Sequence, residues 1–189
     1  MSANAREIPR AALTNGVDVG ALFDTIAAIR QDPEIASFRF RATNRWLGAD
    51  RNRTTVAGFY GAKQEQPHAQ AFEMECGEPA VLLGADRGAN PVEFLLNALI
   101  GCLTTTMVYH AASRAIEIQA VDSELEGDLD LRGFLGISPD VRKGYSAIRV
   151  KMRVQSKGSP SVLRELARFS PVYDVVSRAL PVEIEVVTY

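Results

Sequence analysis

The sequence predicts an α+β fold, in which helices pack on antiparallel sheets. Strands with a hydrophobic period of two lie on both sides of one long apolar helix, an acidic and a basic strand follow that helix, and helical spacing recurs near both ends of the chain. A chain of 189 residues, 47% of them hydrophobic, can bury a full core. We expect residues 1–34 to form an N-terminal helical extension and residues 35–189 to form a single domain.

Composition argues against several classes of function. The formal net charge of −2 argues against a protein that binds nucleic acid through a broad basic surface. Two cysteines and the absence of an apolar N-terminal stretch indicate a cytoplasmic protein, whose free thiols stay reactive. The uncharged run 94–113 is long enough to cross a bilayer, but it contains Asn97 and His110 and no basic cluster flanks it. We therefore interpret it as a buried helix and expect no membrane partner.

The first half of the chain predicts one helix and three strands. Apolar residues recur at helical spacing over 17–29, and Asp32-Pro33 ends that helix because the residue before proline avoids the helical conformation. The hydrophobic period then becomes two, which indicates strands. The predicted strands are 35–46, 54–60 and 71–76, and a turn at 49–52 joins the first two.

The long central helix has a strong start signal. Asn90 fits the N-cap, Pro91 fits the first helical position, and Glu93 can reach back to the cap amide. The helix is predicted to run to about Ala115. Its apolar residues spread around the axis, further than one sheet can cover, which predicts a homodimer with a large apolar interface. The alternative is a monomer in which the two shorter helices of the chain cover the remaining face.

The segments after this helix predict two strands of opposite charge. Acidic residues occupy one face over 121–131, and basic residues occupy one face over 148–155. A single connection joins the two segments, so we expect antiparallel neighbours with ion pairs on the solvent side. Ser159-Pro160 then begins a helix, Ser170-Pro171 interrupts it, and residues 181–187 are predicted to form a final strand.

Five short segments form a specific combination in this order: Asn90–Cys102, Glu126–Asp130, Gly133–Gly136, Ser170–Val172 and the strand that begins with Pro181-Val182. Together they resemble the OsmC/Ohr family of osmotically inducible and organic hydroperoxide resistance proteins. The resemblance covers roughly residues 38–187 and leaves the N-terminal helix outside. It implies an intertwined homodimer in which antiparallel sheets enclose long central helices, in agreement with the dimer that the apolar helix predicts.

The resemblance also implies a thiol peroxidase. In the family, a reactive cysteine on the central helix attacks the O–O bond of a hydroperoxide and becomes a sulfenic acid, and Cys102 occupies that position. An arginine from the N-terminal hairpin stabilises the thiolate, and Arg51 and Arg53 are the candidates here. A second cysteine closes a disulfide that an external thiol reduces. Ser170 stands in its place, and a serine cannot form that bond.

The glutamate of the family mechanism is displaced in this chain. It lies ten residues before the reactive cysteine, where this sequence has Val92, and Glu93 lies one residue nearer. Nine steps of about 100° place Glu93 on the helix face opposite Cys102, so capping is its predicted role. Ser170 before Pro171 is likewise predicted to cap the next helical turn.

Thr105, Thr106 and His110 are further candidates for a polar pocket near Cys102. Helical threonines more often bond back to the preceding turn. His110 lies about 80° around the helix from Cys102, which favours a hydrogen-bonded structural histidine over a Cys–His nucleophile pair. The two histidines and two cysteines are dispersed, so the sequence predicts no metal site and no cofactor.

Three functions remain in competition. The leading hypothesis is an oxidative-stress protein that reduces small organic hydroperoxides with Cys102 as its single working cysteine and an external thiol as reductant. The alternative is a non-catalytic homodimer that binds a small apolar ligand in the interface pocket. A third hypothesis is a thiol hydrolase or acyl-transfer enzyme that uses Cys102 with His110.

Overall fold

The computed structural model describes residues 13–178 and 180–188. The chain divides into two compact units, residues 1–94 and residues 95–189. The first twelve residues of the predicted extension lie outside the described residues. So does Ala179, at which the sequence predicts the last helix to end. The single domain expected over 35–189 stays a prediction.

The first unit opens with a small hairpin and a helix. Strand β1 (Leu13–Thr14) pairs antiparallel with β2 (Val17–Asp18), and this hairpin was not predicted. Helix α1 (Val19–Gln31) begins at Asp18, whose carboxylate accepts from the Ala21 N–H at 2.9 Å, and it ends at Asp32-Pro33 as predicted. The helix predicted over 17–29 is therefore confirmed, displaced by two residues.

A sheet centred on one long strand follows. The predicted strand 35–46 is wrong as a single element, because residues 33–36 form a 3₁₀ turn that begins with a proline. The predicted turn 49–52 is shorter than expected, since a bulge at Gly48, with φ of 105°, lets the chain reverse before residue 51. The strands are β3 (Arg39–Phe40), β4 (Thr43–Gly48), β5 (Arg51–Gly61) and β6 (Gln64–Cys76), with β5 paired antiparallel to the other three.

The predicted capping box starts helix α2 (Pro91–Ala112). The Val92 N–H donates to Asn90 Oδ1 at 2.9 Å, and the Asn90 N–H donates to Glu93 Oε2 at 2.8 Å. The helix ends slightly before the predicted Ala115, which has a φ of 53° in the left-handed region.

Helix α2 is covered on one side only by the described residues of the second unit. By length and composition it could cross a membrane, a test that the core helices of other proteins also pass. Leu95 remains 39% exposed and Tyr109 50% exposed. Its buried residues are Leu99, Leu103, Met107, Ala111 and Ala112.

The second unit contains the hairpin of opposite charges. Strands β7 (Ile118–Asp128) and β8 (Ala147–Ser156) pair antiparallel, which confirms the prediction. Arg149 contacts Glu126 at 2.5 Å and Asp128 at 2.6 Å, and Arg153 contacts Glu124 at 2.6 Å. All of these side chains are exposed, so the pairs specify register more than they stabilise the fold.

Three short helices complete the second unit: α3 (Leu131–Phe134), α4 (Pro160–Ala167) and α5 (Pro171–Ser177). The acidic strand was predicted to reach Leu131, which is wrong because the Asp130 carboxylate accepts from the Arg132 N–H and starts α3 there. The core joins α2 to α4 above the inner faces of β7 and β8. Its buried members are Leu99, Leu103, Met107, Ala111, Leu163, Leu166 and Ala167.

The final strand predicted over 181–187 is wrong for the described chain. Residues 180–188 have no regular secondary structure, and Val182 and Ile184 are 75% and 85% exposed. A strand exists only where its N–H and C=O groups meet a neighbouring ladder, and no pairing of this segment is present among the described residues.

Candidate functional site

Cys102 lies in the middle of α2, next to the buried core residue Leu103. Its side chain is partly buried, and the thiol is free. Helix spacing brings Thr106 one turn further along the same face, and its Oγ1 lies 3.9 Å from Cys102 Sγ. Thr106 is therefore a hydrogen-bond partner of Cys102 from the same helix.

Ser170 brings a second hydroxyl to the same sulfur. It is the N-cap of α5, with Pro171 at the first helical position, and its Oγ accepts from the Tyr173 N–H at 3.1 Å. The predicted capping role is therefore confirmed. Ser170 is 1% exposed, and its hydroxyl is one of the groups that lower the pKa of the Cys102 thiol. The position that the family resemblance assigns to a second cysteine thus lies close to Cys102.

The backbone of α5 supplies a third donor. The first N–H groups of a helix have no acceptor within it. Pro171 has no N–H, the Tyr173 N–H donates to Ser170 Oγ, and the Val172 N–H lowers the pKa of the Cys102 thiol. The sulfur therefore faces the start of one helix from the middle of another.

These donors lower the pKa of the Cys102 thiol. Burial raises the pKa because it disfavours the charged thiolate. Hydrogen bonds from Ser170, from the Val172 N–H and from Thr106 stabilise the thiolate by more, so the pKa lies below the usual range of a cysteine. A larger thiolate fraction makes Cys102 a better nucleophile near neutral pH.

The other predicted pocket residues on α2 have different partners. The Thr105 hydroxyl donates to the Gly101 carbonyl, and the side chain is exposed. The His110 ring stacks on Phe169, with 4.6 Å between ring centres, and Arg114 Nη1 lies 3.2 Å from its Nδ1. Burial and the Arg114 charge lower the pKa of His110, so the ring is neutral near pH 7.

The predicted arginines belong to the first unit and lie on β5, where a turn was expected for Arg51. Arg53 contacts Glu75 at 2.5 Å and Glu73 at 3.9 Å. Arg51 contacts only Glu75 among these carboxylates, at 3.3 Å, and its Nε is buried without a partner among the described residues. The two arginines thus differ at Nε, which is buried without a partner among the described residues in Arg51 and donates to Glu75 in Arg53. Glu93 is committed to the helix cap.

Of the three groups in the second unit that lower the pKa of Cys102, the sequence analysis named the Thr106 and Ser170 side chains and missed the Val172 N–H. The arginine that the family resemblance implies stays a prediction. The Val172 N–H carries no side-chain signal, because only the tertiary fold brings α5 to α2.

The second unit also contains an open cavity of about 760 Å³, which residues of α2, β8, α4 and α5 line. Cys102 is not among its lining residues, although its neighbour Leu103 is. Among the residues that the structure describes, no group of three or more His, Cys, Asp or Glu side chains is placed to hold a metal ion. The lining consists of Leu103, Met107, Val150, Lys151, Met152, Val154, Ser156, Gly158, Pro160, Leu163, Arg164, Arg168 and Tyr173.

Comparisons with known proteins agree with the architecture. The family model described as OsmC-like protein matches residues 84–185, which is more than half of the chain. No curated protein sequence matches. An OsmC-like protein from Mycoplasma pneumoniae is similar in structure with a TM-score of 0.54, at 15% identity over 75% of this chain and 89% of that one.

Two further structures are similar at lower scores. A candidate osmotic stress induced and detoxification response protein from Psychrobacter arcticus matches with a TM-score of 0.53, at 14% identity over 70% of this chain and 85% of that one. An OsmC-like hydroperoxide resistance protein from Jannaschia matches with a TM-score of 0.40, at 17% identity over 80% and 92% of the two chains, which is too low to indicate function. At these identities, the Mycoplasma and Psychrobacter structures support a shared fold and nothing finer.

Proposed function

Because this chain belongs to the OsmC-like protein family, we propose that it is a stress-related thiol peroxidase that reduces organic hydroperoxides through Cys102. The observation that carries the proposal is the set of three donors on the Cys102 sulfur, which favour the thiolate. A thiolate is the form of cysteine that attacks a peroxide. We place the protein in the cytoplasm, where thiols stay reduced.

The reaction needs few groups. The Cys102 thiolate attacks one oxygen of the O–O bond, that bond breaks, and the alkoxide leaves and takes up a proton to become an alcohol. Cys102 becomes a sulfenic acid. Ser170 cannot form a disulfide with it, so an external thiol displaces water to give a mixed disulfide, and a second thiol releases Cys102.

The test is oxidation of the reduced protein by cumene hydroperoxide, followed by thiol titration and intact mass. We expect one equivalent of hydroperoxide to remove the Cys102 thiol, with recovery on addition of a small thiol. Cys76→Ser is the matched control and should react as the parent does, while Cys102→Ser should not react. Equal thiol loss in Cys102→Ser, or an unreactive Cys102, would refute the proposal.

We further propose that the working form is a homodimer. Helix α2 is apolar around most of its circumference, yet only one side of it is buried among the described residues of the second unit, and Leu95 and Tyr109 stay exposed. A second copy of the chain would cover such a surface. Light scattering should give twice the chain mass of 20.6 kDa at micromolar concentration. A monomer at that concentration would contradict the proposal.

A second function, binding of a small apolar ligand without catalysis, is favoured by the cavity of about 760 Å³ in the second unit. Its size lies within the range of small-molecule sites, and most of its walls are apolar. Native mass spectrometry of gently purified protein is the direct test. A bound mass together with an unreactive Cys102 would favour this function over the peroxidase.

A further inference from the structure

The loop between α4 and α5 carries two of the groups that act on Cys102. Residues 168–170 join the two helices. Phe169 lies in this loop directly before Ser170, and the Val172 N–H follows in the first turn of α5. Ser170 and the Val172 N–H both lower the pKa of the Cys102 thiol. A contact that fixes Phe169 therefore also restrains the two groups beside the sulfur.

The Phe169 ring stacks on the His110 ring of α2. The ring centres are 4.6 Å apart, and the planes are inclined by 21°. Phe169 is 61% exposed, so burial among apolar side chains does not account for its position. Stacked aromatic rings attract each other beyond the area that they bury. Among the described residues, this stack is the one aromatic pair between α2 and the loop.

Arg114, just beyond the end of α2, fixes the His110 ring. Its Nη1 lies 3.2 Å from His110 Nδ1 and donates to the His110 carbonyl at 2.9 Å. A guanidinium can only donate, so Nδ1 is the acceptor and the imidazole is neutral. One cation thus holds the side chain and the backbone of the same residue. An imidazole suits this position because it accepts a hydrogen bond at its edge and stacks through its face.

We infer that His110 is a positioning residue for Cys102. Its ring holds Phe169, which keeps the start of α5 beside the sulfur. The two residues are eight positions apart on α2, roughly 12 Å along the helix axis, so the influence of His110 passes through the loop. This role is indirect and differs from that of a Cys–His nucleophile pair. The inference deepens the proposed peroxidase, because it rests on Cys102 as the working thiol.

The pH midpoint of Cys102 alkylation by iodoacetamide tests the inference, in a Cys76→Ser background that leaves one thiol. In His110→Leu the stack is lost, so the midpoint should rise and the alkylation rate at pH 7 should fall about 3-fold, in line with the strength of one aromatic pair. His110→Phe restores a ring for the stack and should retain most of the parent rate. Phe23→Leu, which removes a half-exposed ring from α1, is the matched control and should have no effect.

A second comparison shows whether His110 acts through the loop. In Ser170→Ala one of the groups on the sulfur is already gone, so adding His110→Leu should shift the midpoint less than it does in the parent. If His110→Leu does not fold, Phe169→Leu removes the same stack from its other side and should give the same shift. Equal shifts in the two backgrounds, an unchanged midpoint without the stack, or no rescue by His110→Phe would overturn the inference.

The outcomes also separate this inference from the proposed function. The same preparations are treated with cumene hydroperoxide, and the loss of the Cys102 thiol is followed. If the parent is inert to the hydroperoxide but the midpoint shifts in His110→Leu, only the peroxidase fails. If the parent reacts and the midpoint does not shift, only the positioning role fails.

Discussion

The Ser170 hydroxyl lowers the pKa of the Cys102 thiol while its oxygen accepts from the Tyr173 N–H at 3.1 Å. One hydroxyl, 1% exposed, thus serves both the thiol and the start of α5. The reactivity of Cys102 and the position of α5 therefore depend on the same side chain. A serine at this position gives up disulfide chemistry and retains the polarity that a thiolate needs.

Replacement of this hydroxyl should raise the pKa of Cys102. In Ser170→Ala one of the three donors is lost while burial, which raises the pKa, remains. We expect the pH midpoint of iodoacetamide alkylation to move upward and the alkylation rate at pH 7 to fall. Ser177→Ala, an exposed serine on the same helix, is the control and should not shift the midpoint. Loss of the N-cap should also lower the free energy of unfolding by about 1 kcal/mol, which urea titration measures.

Ser170→Cys should form a disulfide with Cys102. The two side chains lie close enough for the Ser170 hydroxyl to lower the pKa of Cys102, so we expect two sulfurs at these positions to come within bonding distance. After mild oxidation the intact mass should fall by two hydrogens, and peptide mapping should join residue 102 to residue 170. Ser161→Cys, which adds an exposed thiol on α4, is the control. Cys102 should stay reduced in this variant. Absence of the cross-link would contradict the contact.

Met107→Ala should destabilise the second unit strongly. Met107 is 1% exposed and lies at the centre of the core between α2 and α4. Truncation leaves a cavity, with an expected loss of about 2–5 kcal/mol in the free energy of unfolding. Leu95→Ala, on the same helix but 39% exposed, should cost the monomeric chain much less. Urea unfolding at a fixed protein concentration compares the two.

His110 should titrate below the usual range of a histidine. Burial against Phe169 and the nearby Arg114 charge both disfavour the protonated ring. The unfolded chain takes up this proton more readily, so acidification through the usual histidine range should lower the free energy of unfolding. NMR titration of the ring measures the midpoint, and Phe169→Ala should raise it by exposing the ring. A midpoint at or above the usual value would disprove this environment.

Local patterns predicted much of the fold. The Asn90 cap and Glu93 fixed the start of α2, and alternating charge predicted the pairing of Glu126 with Arg149. The capping signal lies within a few residues of the helix start that it specifies. The charge pattern lies in two strands that one connection joins. The Ser170 cap was predicted for the same reason.

The site itself was only half predictable. Cys102 and Ser170 were named, but the contact between them depends on how α4 and α5 return to α2, and no periodicity describes that path. The sequence also gave no sign of the Val172 N–H, a backbone group that every residue except proline carries. The strand predicted over 181–187 was wrong for a different reason. Its alternation of apolar and polar residues is clear, but no neighbouring strand among the described residues pairs with it.

The exposed segment 181–187 makes the protein prone to aggregate. Val182, Ile184 and Val186 are each at least 75% exposed, and two glutamates alternate with them. Such segments template intermolecular cross-β association unless charged neighbours oppose it. The charges of Glu183 and Glu185 therefore oppose this association, and replacing both with neutral residues would promote aggregation through this segment.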